Sequence, residues 1–209
     1  MSPRWRIFLP ALAAVALVVL IVAIALGKSS GGDSSSVLRP SSGEGFDGAA
    51  IPVGLQAPEF TLTDQYGHRL GPGQLRGKVT VLSFLYSGCG APCVVIAQQI
   101  RGALDELPEA VPVLIVSANP RADTPANVRR FLAQVSLTGR VRYLSGSPAQ
   151  LQAIWRAYKV VPASAGRRAF ADHASVLLID GKGNERVLFQ SEQLTPEALS
   201  HDIRRLQAG

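Results

Sequence analysis

Cysteine is scarce in this chain. Its 209 residues hold two cysteines, Cys89 and Cys93, and three histidines. No cysteine precedes Cys89, which leaves no lipid-acceptor thiol in the N-terminal part. Even with one histidine added, two thiols fall short of the four ligands of a closed structural zinc site. No nucleic-acid-binding motif accompanies the formal charge of +6 or the pI of about 9.8. The basic residues are scattered, as in Arg129–Arg130, Arg167–Arg168 and Arg204–Arg205, and read as solvated faces rather than a nucleic-acid footprint. No internal repeat is present. Between Ile7 and Leu26 there is no charged residue, and between Pro162 and Pro196 there is no proline.

The uncharged run comes first in the chain. Twenty residues at helical rise span about 30 Å, the thickness of a bilayer core. Arg4 and Arg6 precede the run, so the positive-inside rule keeps the N-terminus in the cytoplasm and sends the rest across. The reading is a single transmembrane anchor within residues 1–28, with Ala23-Ile24-Ala25 as an alternative cleavage site. Residues 29–50 are rich in Ser and Gly and read as a flexible linker. Residues 51–209 form the expected folded domain, exported to a compartment where disulfides persist.

The chemistry centres on Ser87-Gly88-Cys89-Gly90-Ala91-Pro92-Cys93. Before it, Val79 to Tyr86 is an almost unbroken apolar run and reads as a strand buried on both faces. After it, Val94 to Leu107 has helical spacing at Ile96, Ile100, Leu104 and Leu107. The cysteines therefore fall on a strand-to-helix turn at the carboxyl end of a central strand, where ligand sites gather in open α/β sheets. A helix N-terminus favours thiolate over thiol. A purely structural disulfide across so short a loop removes little chain entropy.

Further along, Ala57 to Leu70 reads as a β-hairpin around Asp64-Gln65-Tyr66-Gly67, with His68 on the surface. Strands are expected at 111–117, 141–144, 174–179 and 186–189. Helices open at Thr124-Pro125, Ser147-Pro148 and Thr195-Pro196, each a cap residue followed by proline. The fold class is α/β: a thioredoxin-like domain with an added N-terminal β-hairpin, preceded by a single transmembrane helix.

His173 lies just before the strand at 174–179. Thiol–disulfide enzymes of thioredoxin-like fold place a cis-proline at that entry, and here a histidine stands near it instead. Two thiolates and an imidazole suit copper. Asp172 is a candidate acceptor for the imidazole.

Several segments resemble the Sco/SenC family of membrane-anchored copper-binding thioredoxin-like proteins. They are Ala57 to Asp64, Leu75-Arg76-Gly77-Lys78-Val79, the Cys-x-x-x-Cys itself, Asn119-Pro120-Arg121-Ala122-Asp123-Thr124-Pro125, Leu144 to Tyr158, and His173 ahead of Leu177-Leu178-Ile179-Asp180. The resemblance implies that Cys89, Cys93 and His173 bind a copper ion, Cu(I) or Cu(II). It also implies a metallochaperone assisting the copper-site subunit of cytochrome c oxidase from the extracytoplasmic side of the membrane. Two positions depart from the family pattern: Val94 stands where a proline follows the second cysteine, and Asn119 replaces an acid. The alternative reading is a thiol–disulfide oxidoreductase in which Cys89 attacks and Cys93 resolves. A thiol peroxidase lacks a placed arginine beside Ser87, and an interaction module without chemistry is the remaining option.

Overall fold

The computed structural model describes residues 45–209. The expected transmembrane helix and residues 29–44 of the expected linker lie outside the described residues. Among the described residues no helix is long and apolar enough to cross a membrane.

The strands are β1 (Ala49–Ala50), β2 (Leu62–Thr63), β3 (Arg69–Leu70), β4 (Thr80–Leu85), β5 (Val113–Ser117), β6 (Arg142–Leu144), β7 (Ser175–Ile179) and β8 (Glu185–Gln190). The α-helices are α1 (Ala91–Glu106), α2 (Pro125–Gln134), α3 (Pro148–Ala157), α4 (Arg167–Ala171) and α5 (Pro196–Ala208). Six strands form one sheet in the order β1-β8-β7-β4-β5-β6. β4, β5 and β6 run parallel, joined through helices, while β7, β8 and β1 add on antiparallel. β2 and β3 make the expected hairpin, paired Leu62 to Leu70 and Thr63 to Arg69.

The apolar run around β4 becomes the centre of the sheet because both its faces are covered. Val81 and Leu85 face one core with Val113, Ile115, Val176 and Leu178, under α1, α2 and α5. Leu82 and Phe84 face the other with Leu114, Val116, Leu177 and Ile179, under α3 and the hairpin's Leu62. Burying each such side chain contributes roughly 1.5–3 kcal/mol. The polar Ser83 is tolerated because its hydroxyl donates to the Ser175 carbonyl at 2.9 Å. The hairpin closes the exposed edge at β6. Backbone bonds join Thr63 and Ser145 in both directions, and the Gln65 side chain bridges Val141 O and Tyr143 N–H.

The three cap-plus-proline starts hold. Thr124, Ser147 and Thr195 each accept a backbone N–H with the side chain, and Ser147 with Gln150 completes a capping box. Each cap is worth about 1 kcal/mol. α5 packs along α1, and Gly102 permits the approach: a Cβ there would meet Pro196 at 2.8 Å.

Three local features differ from expectation. α1 starts at Ala91 rather than 94, so Cys93 lies in its first turn. Proline has no N–H to lose at the second helical position, so Pro92 begins the helix rather than blocking it. Among the described residues, folded contacts are already in place at Phe46, ahead of Ile51. Phe46 is buried between Arg186 and Arg205, and Asp202 accepts the N–H groups of Asp47 and Gly48, all tertiary contacts with no local signal. Finally, a 3-10 turn (Ala163–Ala165) and α4 occupy the stretch before β7, where no periodicity marks them.

Candidate metal and redox site

Cys89 and Cys93 are joined as a disulfide, with sulfurs 2.11 Å and Cα atoms 5.7 Å apart. Cys93 is held by the first turn of α1, where Val94 N–H donates to Gly90 O. Gly90 is the N-cap with φ of +81°, a conformation that favours glycine, so the chain can turn from the Cys89 loop into the helix. Cys89 is held differently: its N–H donates to Tyr86 O, closing a four-residue turn at the end of β4. Both cysteines are buried, Cys89 at 1% and Cys93 at 0% exposure. Gly88, Gly90 and Ala91, which flank Cys89 in the chain, are exposed.

The turn is pinned from the side by the Asn119–Thr124 loop. Asp123 Oδ1 accepts Ser87 N–H at 2.7 Å, and Ser87 Oγ donates to Ala122 O at 3.1 Å. Asp123 Oδ2 accepts the Ser117 hydroxyl at 2.5 Å and the Tyr143 hydroxyl at 2.8 Å. Burial pushes the Tyr143 hydroxyl well above its ordinary range, and the Asp123 charge adds to the effect. Asn119, in place of an acid, closes its own loop: its carbonyl accepts from Ala122 and Asp123. Sequence reading passed over Asp123, Ser117 and Tyr143. Asp123 belongs to the Asn119–Pro125 stretch, but nothing in the sequence shows that its carboxylate gathers donors from the β4 turn, β5 and β6.

His173 sits at the entry to β7, where the register of β7 against β4 runs toward the cysteine turn, with Val176 opposite Ser83. Its neighbours Phe170 and Ala174 are buried in the same core as both cysteines, and Phe170 meets Tyr86 edge-on at 5.0 Å. The imidazole itself is exposed, and its Nδ1 pairs with Ala169 O at 2.9 Å, not with a sulfur. Asp172 pairs with Arg168 at 3.9 Å rather than with the imidazole. The structure therefore joins the two cysteines and keeps the histidine ring turned outward on an adjacent segment. No peptide bond among the described residues is cis.

One set of three potential metal-ligating side chains lies within 4.8 Å among the described residues: Asp47, His201 and Asp202. Asp202 is spent on backbone N–H groups there, and His201 Nδ1 lies 3.2 Å from Asp47 and 2.9 Å from Asp202. This cluster fastens the N-terminal strand to α5.

Comparison with known proteins agrees with the fold. ScoI of Bradyrhizobium japonicum, solved with copper bound, is 28% identical, with a TM-score of 0.55 over 73% of this chain and 99% of that one. BsSco, a member of the Sco family of cytochrome c oxidase assembly proteins in which a disulfide switch was identified, is 18% identical with a TM-score of 0.60 over 74% of this chain and 95% of that one, and shares the fold. A protein of Stutzerimonas stutzeri whose name suggests copper binding is 24% identical over 103 residues, 45% of this chain and 50% of that one. The chain spans about half the length of that curated relative. The SCO1/SenC family model matches residues 51–208. That match takes in nearly all of the folded domain and most of the chain, so the chain belongs to the SCO1/SenC family.

Proposed function

We propose that this chain is a membrane-tethered, extracytoplasmic copper-binding protein that assists assembly of the copper site of cytochrome c oxidase, with Cys89, Cys93 and His173 as the copper ligands. The observation that supports this reading is a pair of joined sulfurs just past the carboxyl end of β4 together with a single histidine on the segment that enters the neighbouring strand β7. The donor set fits Cu(I): two soft thiolates and an imidazole. The disulfide must first accept two electrons, and the positive end of α1 then favours the Cys93 thiolate.

His173 must also turn inward. The segment from Ala163 to His173 is lightly held. Among its hydrogen bonds, only Ala163 N–H to Ala118 O reaches the sheet, and the rest are local. Its other anchor is the buried Phe170 ring. Releasing Nδ1 from Ala169 O and shifting this segment brings the ring toward the sulfurs at the cost of few contacts.

The test is titration of the reduced full chain with Cu(I) against a competing chelator. One copper per chain is expected, bound at least tenfold more weakly by His173→Ala. Equal affinity in the variant would remove His173 from the ligand set.

The disulfide itself favours a second reading, thiol–disulfide exchange with a partner. The Cys89 thiolate would attack a partner disulfide, and Cys93 would displace the partner as a free thiol. Preparing the thiols of a copper-receiving protein would use this same pair, so the two activities are compatible.

A further inference from the structure

We propose that Asp123 is a positioning residue for the cysteine pair: its carboxylate fixes the turn that carries Cys89 against the helix that carries Cys93. This rests on the reading of Cys89 and Cys93 as the working pair. The two sulfurs are held by unlike supports. Cys93 rides on α1 and moves only with it. Cys89 sits in a four-residue turn closed by one backbone bond, Cys89 N–H to Tyr86 O. Ser87 lies inside that turn, and both of its polar groups are held by the neighbouring loop: its N–H by Asp123 Oδ1 and its hydroxyl by Ala122 O.

Asp123 in turn cannot shift freely. It is 7% exposed. An ionised carboxylate only accepts, and three donors converge on this one: Ser87 N–H, Ser117 Oγ and Tyr143 Oη. Those donors come from the turn after β4, the last residue of β5 and the middle residue of β6, and Tyr143 Oη also reaches Leu85 O at 3.2 Å. One buried group thereby ties three parallel strands together and sets where the Cys89 turn stands. Without it the turn gains freedom on the Cys89 side alone. The effective concentration of one thiol at the other falls, and the disulfide becomes easier to reduce.

The experiment equilibrates the full chain in glutathione buffers and counts free thiols by alkylation. Reduction by two glutathione thiols breaks the Cys89–Cys93 bond and yields two protein thiols and one oxidised glutathione, a two-electron exchange. Asp123→Asn should make the disulfide about tenfold easier to reduce, a midpoint about 30 mV less negative. Tyr143→Phe, which keeps the ring and deletes one donor, should make the disulfide about threefold easier to reduce, a smaller shift of the same sign. Ile179→Val lies opposite Thr80, at the far end of β4, and serves as a remote destabilised control whose midpoint should not move.

If Asp123→Asn and Tyr143→Phe lower the melting temperature while the midpoint stays at wild type, Asp123 is only a core residue and the proposal falls. It also falls if Ile179→Val shifts the midpoint as far as they do. A wild-type disulfide that glutathione cannot reduce would sink both this proposal and the working-pair reading. A reducible disulfide in a chain that binds no copper would end the copper reading and leave the positioning role standing.

Discussion

The turn at residues 86–90 and the segment at residues 163–173 lie at the same end of the sheet, and they are held very differently. The cysteine turn is tied by its own backbone bond, by Asp123 and by Ala122, and it leads into a sixteen-residue helix. The histidine segment has one backbone bond to the sheet and one buried ring, Phe170. The fold holds two sulfurs in fixed register and leaves the imidazole on a short lever. A donor set that must take up and release a metal benefits from that inequality. In the proposed copper role, the fixed pair would keep the entropy cost of closing the site low, and the weakly held His173 would set the difference between holding and release.

Four changes probe that inequality, from the largest expected effect to the smallest. Cys89→Ser removes the firm half. Copper affinity of the reduced chain should fall at least a hundredfold, and the oxidised form should lose the loop constraint, worth about 2 kcal/mol. A chelator competition and a denaturant melt read the two effects. His173→Ala removes the lever's tip instead. Affinity should drop at least tenfold while stability stays within about 0.5 kcal/mol, because the ring is exposed. A large loss of stability would show that the segment is held through His173.

Phe170→Ala cuts the segment's one deep anchor. Truncating a buried phenylalanine ordinarily costs about 3–5 kcal/mol. Here the global loss should be smaller, because α4 can detach while the sheet stays intact. Limited trypsin digestion should then cut faster at the exposed Arg167 and Arg168. Unchanged cutting with a full-sized global loss would mean that the segment belongs to the cooperative core.

The smallest effect lies far from the site. Burial alone would raise the Asp64 carboxyl, but the backbone N–H groups of His68 and Tyr66 and the His68 side chain outweigh it and hold the group below its ordinary range. A carboxylate lowered by folding stabilises fully above its unfolded value of about 4. That contribution is lost as the pH falls through the lower folded value. Asp64→Asn should therefore weaken the protein by about 1 kcal/mol at pH 7 and flatten its acid-unfolding profile below about pH 4. The cysteine midpoint should be untouched.

Much of this organisation is written locally. The apolar runs at 79–86 and 111–117, the cap-plus-proline helix starts and the turns at 64–67 and 180–184 carry their own signals, and each became the expected element within a few residues. The nearness of Cys89 to Cys93 was legible for the same reason, four positions across a strand-to-helix turn, and the disulfide that joins them matches the alternative redox-pair reading. What stayed hidden depends on long-range contact. Residues 167–171 have no helical periodicity of their own and are ordered by Phe170 finding Tyr86. Phe46 is drawn into the core by arginines more than 130 positions away.

The sequence by itself determined the elements and the placing of both cysteines on one strand-to-helix turn, because propensity, capping and spacing act over a few residues. Only the tertiary structure decided that Asp123 would join three strands beneath the cysteine turn, that both sulfurs would be buried, and that His173 would face outward. Those outcomes follow from which side chains meet across the sheet, and that meeting is settled when hydrogen-bond donors and apolar surface leave water together.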